Sequence, residues 1–185
     1  GPLALAQAKT AGSRTNSAEY QTDQLRKEVS SLPVTKDAQK IVASYNQLQQ
    51  SAAGKTPISD RSMIFQYMKI LDPNSTVREG EQAQVENARG VPSTIMNLYN
   101  KTLEGTPLDQ KQRDDITNTA KGLADTQLKS FEDFTKTQRD VAKKRGFNEQ
   151  DIFPNFQVQQ PVGALTPRQR LDAARAKAAA AQGIR

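Results

Sequence analysis

The chain contains no cysteine, no histidine and no tryptophan among its 185 residues. Without cysteine it has neither disulfides nor thiolate ligands for a metal, and without histidine it lacks the commonest general base and zinc ligand. No apolar run approaches the roughly 18 residues of a membrane-spanning helix, and no signal-peptide pattern is present. We therefore expect no catalytic, cofactor or metal site in this chain and interpret it first as an interaction protein.

Apolar residues are also scarce. The sequence is 35% hydrophobic and 5% aromatic, and its mean hydropathy is -0.74. A domain of this length usually buries about 70% of the surface that its unfolded chain exposes. We therefore expect amphipathic helices whose apolar stripes are completed by other molecules, in a homo-oligomer or with other proteins. Because the first residue is Gly1 rather than methionine, we expect a processed product or a part of a longer chain.

The net charge of +6 is concentrated at the C-terminal end. Residues 166–185 contain five basic residues and one acid, which gives this segment +4 and leaves +2 for the other 165 residues. Four of its cations are candidates for nonspecific contact with nucleic acid: Arg168, Arg170, Arg175 and Lys177. Contact with an acidic protein surface and simple solvation remain open as alternatives. No aromatic residue interleaves with these cations, which disfavours base stacking on single strands.

Apolar residues at helical spacing predict an all-α fold. We find no convincing strand pattern, so we expect extended helical hairpins or a bundle. The predicted organisation is a flexible lead-in (1–16), a helical domain (17–146), an extended, proline-containing strap (147–165) and a basic, alanine-rich C-terminal helix (166–185). Five shorter helices are expected in the helical domain, with these approximate bounds: 17–32, 35–53, 59–71, 78–89 and 95–103.

One further helix is expected to be much longer. Thr106 is placed at its N-cap and Pro107 at its first helical position, which is a strong start signal. Apolar residues then keep helical phase as far as Gly146, which predicts about 38 residues and roughly 57 Å of length. We expect this helix to be the spine of the hairpins or bundle.

A polar corner follows the third helix. Asp72 and Pro73 end that helix, because a proline disfavours helical geometry in the residue before it. We predict that this corner docks to partner proteins through the following residues: Tyr67, Leu71, Asp72, Pro73, Arg78, Glu79 and Glu81. Tyr67 also has the opposing interpretation of a core residue, which its helical spacing favours. The acids are better explained by a solvated helix start than by a cation site.

Two aromatic residues of the strap, Phe153 and Phe156, flank Pro154. One interpretation is insertion of both rings into a groove of a partner, and the other is packing on this chain's own helices. The sequence leaves the two open. We include both rings among the candidate docking residues.

The segment Lys69–Glu81, with the sequence KILDPNSTVREGE, resembles a segment of tailed-bacteriophage internal virion or ejection proteins, also called DNA transfer or pilot proteins, and of related minor tail proteins. The resemblance covers about residues 40–145 and includes Tyr45-Asn46, Ile64–Met68 and the helix start Leu108–Arg113. It implies a protein of the capsid interior or portal–tail region, present in several copies and bound to portal, tail and other ejection proteins. It also implies delivery with the genome across the host envelope, with nonspecific DNA contact and transient envelope contact.

Some proteins of this group carry a lytic transglycosylase domain. The active site of such a domain is built on a catalytic Glu that is followed by Ser. This chain contains no Glu-Ser pair, so we expect it not to be an enzyme and assign no catalytic residue. Two alternatives remain beside the virion role: a non-viral helical adaptor without a DNA role, and an accessory segment of a peptidoglycan hydrolase.

Overall fold

The computed structural model describes residues 2–74 and 90–161 together with Arg168, Asp172 and Arg175, and for residues 2–16 it describes the backbone alone. These residues form six helices and no strand, which confirms the all-α prediction. In chain order the helices are α1 (Pro2–Ser31), α2 (Pro33–Gly54), α3 (Pro57–Leu71), α4 (Ser93–Leu103), α5 (Gln110–Lys144) and α6 (Glu149–Ile152). The helix expected over 78–89 and most of the one expected over 166–185 lie outside the described residues.

The first helix begins earlier than its sequence pattern indicates. α1 starts at Pro2 rather than at Ser17, so the expected flexible lead-in is helical from its second residue. Proline suits a first helical turn because its missing N–H would have no intrahelical partner there. The alanines that follow have high helix propensity. Only Leu32 separates α1 from α2, at the point where Pro33 removes a backbone donor.

α2 and α3 form a tight helical hairpin. Lys55, which follows α2, adopts the left-handed conformation with φ 53°. Thr56 then caps α3: its hydroxyl accepts the Ser59 N–H at 3.2 Å, and its own N–H donates to the Ser59 hydroxyl at 2.9 Å. α3 therefore begins at Pro57 rather than at the predicted residue 59, because Thr56 forms a capping box with proline at the first helical position. Asp60 lies inside α3 and is completely buried.

α3 is the central helix of the bundle. It packs against α2, α4 and α5, and every residue from Met63 to Met68 is buried, which is typical of a helix enclosed on all sides. The core around it includes Tyr45 and Leu48 of α2 and Phe131 of α5. The expectation that other molecules complete the apolar stripes is therefore wrong for α2, α3 and α4 and for α5 as far as Phe131, whose stripes complete one another.

α5 is the long helix that the sequence predicts, with 35 residues and a length of roughly 52 Å at 1.5 Å per residue. Its N-cap is Asp109, whose carboxylate accepts the N–H of Gln112 at 2.8 Å, so the predicted cap at Thr106 is wrong. Thr106 instead closes α4. Its N–H and that of Gly105 donate to carbonyls in the last turn of α4 at 3.2 and 3.1 Å, and Gly105 has a φ of 82°, as a Schellman motif requires.

A buried ion pair joins α3 to the start of α5. The carboxylate of Asp60 accepts hydrogen bonds from the guanidinium of Arg113 at 2.7 and 2.9 Å and from the N–H of Leu108 at 2.8 Å. Asp60 is completely buried and Arg113 is 5% exposed. The hydrogen bond to Asp60 raises the pKa of Arg113, so the guanidinium keeps its charge. Because the loss of either partner leaves a buried charge uncompensated, this pair fixes α5 against α3.

The strap predicted over 147–165 contains α6 and then a non-helical stretch over 153–161. This stretch runs back along α5 towards α2. Phe156 packs edge to face against Phe131 of α5, with 5.1 Å between ring centroids. A glutamine of α2 donates to the carbonyl of Gln159 at 3.3 Å. The described part of the strap is therefore attached to this chain's own helices.

Candidate docking surface

The corner after α3 holds several predicted docking residues. Tyr67 is 3% exposed, so its side chain belongs to the core around α3, which corrects its assignment to a docking surface. Asp72 is exposed, Leu71 and Pro73 are half-buried, and the carboxylate of Asp72 accepts the N–H of Asn74 at 3.1 Å. The charged residues that complete the predicted surface lie outside the described residues: Arg78, Glu79 and Glu81.

The strap aromatics pack on this chain's own helices, which is the second of the two interpretations. Phe153 is 5% exposed, and the guanidinium of Arg139 lies 5.0 Å from the centroid of its ring. Phe156 is half-buried against Phe131. Arg139 also donates to the carbonyl of Pro154 at 3.0 Å. The assignment of Phe153 and Phe156 as docking residues stays a prediction.

An open apolar surface lies elsewhere, between the C-terminal parts of α1 and α5 and beside α6. We call it the apolar groove. Its floor is a small second core of four buried residues: Val29, Ala142, Ile152 and Phe153. Its sides consist of Leu25 of α1, Leu32 of the link between α1 and α2, and Phe134 and Val141 of α5. The groove has a volume of about 440 Å³, and Phe134 and Val141 are 54% and 41% exposed.

Helix periodicity explains why these side chains remain open. Phe131 of α5 faces the main core, whereas Phe134 and Val141 lie on the neighbouring face of the same helix. They are seven residues apart on α5. Seven residues correspond to about two turns and roughly 10.5 Å along a helix. One side of the apolar groove therefore presents a pair with this axial spacing, and the other side presents Leu25 and Leu32.

Two exposed charges of opposite sign also line the apolar groove, Glu28 on α1 and Arg145 just after α5. Within the described part of the chain neither has an ion-pair partner. A neighbouring cation does, because Lys143 pairs with Glu149 of α6 at 2.9 Å. An apolar centre with a polar rim is the usual composition of a protein-binding surface. The apolar groove is therefore the candidate docking surface.

The described part of the basic C-terminal segment consists of Arg168, Asp172 and Arg175, which are helical and exposed. The seven-residue spacing of the two arginines places them on one face of a helix. The other two candidate nucleic-acid residues, Arg170 and Lys177, lie outside the described residues. The two described candidates are thus accessible to a polyanion.

Sequence analysis alone did not identify the apolar groove. The sequence contains one indication of this groove, which is a surplus of apolar residues on α5. Phe134 and Val141 lie beside the apolar stripe to which Phe131 belongs. Glu28 and Arg145 carried no signal, since an exposed acid and an exposed base are ordinary on helices. Their significance comes from tertiary structure, which brings residues more than 100 positions apart to one groove.

No described helix is both long and apolar enough to cross a membrane, and the residues with described side chains include no acidic cluster placed to hold a metal ion. The chain matches no protein-family model, no curated protein and no solved structure. The candidate docking surface therefore rests on the geometry and charge of the described residues.

Proposed function

We propose that this chain is a structural protein of the tailed-bacteriophage virion that belongs to the ejection or tail apparatus and assembles in multiple copies. The resemblance of Lys69–Glu81 to ejection and minor tail proteins supports the virion context. The apolar groove is the observation that supports the structural role, because its open apolar side chains and unpaired rim charges suit attachment to another protein. In this role the chain acts by binding rather than by catalysis.

The fold suits a structural component that keeps its shape while its surface binds neighbouring proteins. The packing around α3 and the buried pair of Asp60 with Arg113 give the bundle a fixed geometry. The apolar groove supplies a point of attachment. Contacts that are individually modest add up when a chain binds at several points in one assembly. The proposed neighbours are portal, tail and other ejection proteins, with transient contact to the host envelope as the genome is delivered.

The basic C-terminal segment is proposed to contact the genome or an acidic wall of the channel. Arg168 and Arg175 are exposed, and cations of this kind bind phosphates without regard to sequence. Duplex DNA binding by the full chain and by a chain ending at residue 165 should be compared over a series of salt concentrations. The full chain should bind more tightly and lose affinity steeply with salt. Equal affinity of the two chains would contradict a DNA role.

The virion role is tested on purified phage particles. Mass spectrometry of the particle should find the chain in several copies, and an epitope tag should place it in the capsid interior or at the portal–tail region by electron microscopy. Absence from the particle would contradict the proposal and favour the non-viral adaptor. The non-catalytic role is tested by zymography on peptidoglycan with the isolated chain, and clearing of the substrate would contradict it.

A further inference from the structure

We infer that the apolar groove binds a second copy of this chain, in a two-fold contact in which Glu28 of each copy pairs with Arg145 of the other. This inference deepens the proposed multi-copy assembly, on which it rests, and assigns it a surface. It does not depend on the phage context.

The shape of the surface is self-complementary. One side of the apolar groove carries the projecting Phe134 and Val141, which are 54% and 41% exposed. The other side carries Leu25 and Leu32, which are half-buried beside an apolar floor. An apolar ridge and an apolar recess thus lie side by side on the same surface. A surface that contains both a ridge and its matching recess is suited to binding itself.

The charges of the rim are complementary in the same way. The apolar groove is lined by Glu28 as its acid and by Arg145 as its base, and both lack ion-pair partners among the residues that the structure describes. The lining is thus neutral overall, which disfavours a polyanion such as DNA or an acidic membrane as the occupant. It favours an occupant that brings one base and one acid at the matching positions. A second copy of the chain does so.

Symmetry then doubles each contact. In a two-fold contact, residue i of one copy meets residue j of the other, and j meets i. Every dimer therefore contains two pairs of Glu28 with Arg145 and two insertions of the pair Phe134 and Val141. Charges at the rim fix the orientation and the choice of partner, while the apolar side chains exclude water from the centre.

The test uses charge reversal in the full chain, with native mass spectrometry and analytical ultracentrifugation. The unmodified chain should form dimers that dissociate on dilution. Glu28→Arg alone and Arg145→Glu alone should each weaken self-association roughly tenfold or more, because both pairs become repulsive. Mixing these two variants should restore association as a heterodimer. Both ion pairs between the unlike copies are then attractive, because one is the native pair and the other has its two charges exchanged. The different masses of the two variants identify the heterodimer directly.

Two further variants separate the apolar groove from the rest of the surface. Phe134→Ala should weaken dimerisation to a similar extent, whereas Ile58→Ala should leave it unchanged, since Ile58 is 73% exposed and is not a lining residue of the groove. Circular dichroism should show unchanged helicity for all variants, because every substituted side chain is exposed.

Three results would overturn the inference. They are a chain that stays monomeric at all concentrations, self-association that none of the groove variants changes, and a mixture of the charge variants that remains monomeric. The second result would leave multi-copy assembly standing and remove only the surface assigned to it. Detection of the chain in purified virions is independent of all three, so failure of this inference and failure of the proposed function are distinguishable.

Discussion

The two halves of α5 lie in contrasting surroundings. From Arg113 to Phe131 its inner face is covered by α2 and α3 and is anchored by the pair of Arg113 with Asp60. Beyond Phe131 the helix meets α6 and the edge of α1, and Phe134 and Val141 remain exposed. One continuous helix thus takes part in a closed core at one end and an open groove at the other. The comparison shows that the neighbours of a helix, more than its own pattern, decide which apolar residues are free for a partner.

The closed region should depend most strongly on its buried ion pair. Asp60→Ala leaves the guanidinium of Arg113 buried without its partner and the N–H of Leu108 without an acceptor. The free energy of unfolding should fall by about 5 kcal/mol, measured by urea denaturation at neutral pH. The matched control is Asp133→Ala, which removes an exposed partner of Lys129 and should change stability little. Comparable losses in the two variants would contradict the anchoring role of Asp60.

Two phenylalanines three residues apart allow a direct comparison of the two regions. Phe131→Ala creates a cavity beside Phe156 and should lower the free energy of unfolding by about 4 kcal/mol. Phe134→Ala removes a side chain that is 54% exposed and should lower it by about 0.5 kcal/mol or less. Dimerisation should respond in the opposite order. Relative to the stability that each variant loses, Phe134→Ala should weaken dimerisation more than Phe131→Ala does. Equal losses of stability would contradict the distinction between core and groove.

The corrected start of α5 predicts a smaller effect. Asp109→Ala removes the side chain that accepts the N–H of Gln112 and should lower the free energy of unfolding by about 1 kcal/mol. Thr106→Ala is the matched control, because the backbone N–H of Thr106 closes α4 whereas its side chain does not cap α5. This variant should stay within about 0.5 kcal/mol of the unmodified chain. A larger loss for Thr106→Ala than for Asp109→Ala would restore the cap predicted from sequence.

The smallest expected effect concerns alkaline pH. Burial raises the pKa of Tyr45 and of Tyr67 above the ordinary tyrosine value of about 10. Because the neutral form is favoured in the folded state, this contribution to stability is fully present below about pH 10 and is lost as the pH rises through the folded-state pKa. Urea unfolding from about pH 8 to pH 11 should show the decline.

Tyr45→Phe is the control for this decline. The hydroxyl of Tyr45 is buried without a well-formed hydrogen bond, although Gln49 nearby partly offsets the effect of burial on its pKa. Its removal should change stability at neutral pH by no more than about 1 kcal/mol and should make the alkaline decline shallower. An identical decline in the variant would show that Tyr45 does not contribute.

Much of the bundle could be predicted from the sequence. Apolar residues at three- and four-residue spacing predict α2, α3, α4 and α5, because burial of one face is the dominant requirement for a helix in a bundle. The first residues of the helices were predicted less accurately. Thr106-Pro107 has the composition of a cap, but the N–H of Thr106 donates to the carbonyl of Lys101 in closing α4, and Asp109 offers a second cap three residues later. A local pattern cannot decide between two competing caps.

The candidate docking surface was less predictable than the fold. Tyr67 and Phe153 have the chemistry of docking residues, but both are buried by helices of this chain. Asp60 binds Arg113, which lies 53 residues further along, and no local pattern links the two. A sequence pattern reports the periodicity of one helix, whereas the neighbours of that helix follow from the packing of the whole bundle. The apolar groove, which needs α1, α5 and α6 together, could not be found from any single pattern.

The separation between Asp60 and Arg113 also has a consequence for folding during translation. When α2 and α3 leave the ribosome, the guanidinium that will neutralise Asp60 has not yet been synthesised. Burial of an isolated carboxylate is strongly unfavourable, so Asp60 cannot take up its buried position at that stage. Ribosome-arrested chains should therefore gain protease resistance only after Arg113 emerges from the exit tunnel. One ion pair thus sets the earliest moment in synthesis at which the native core can form.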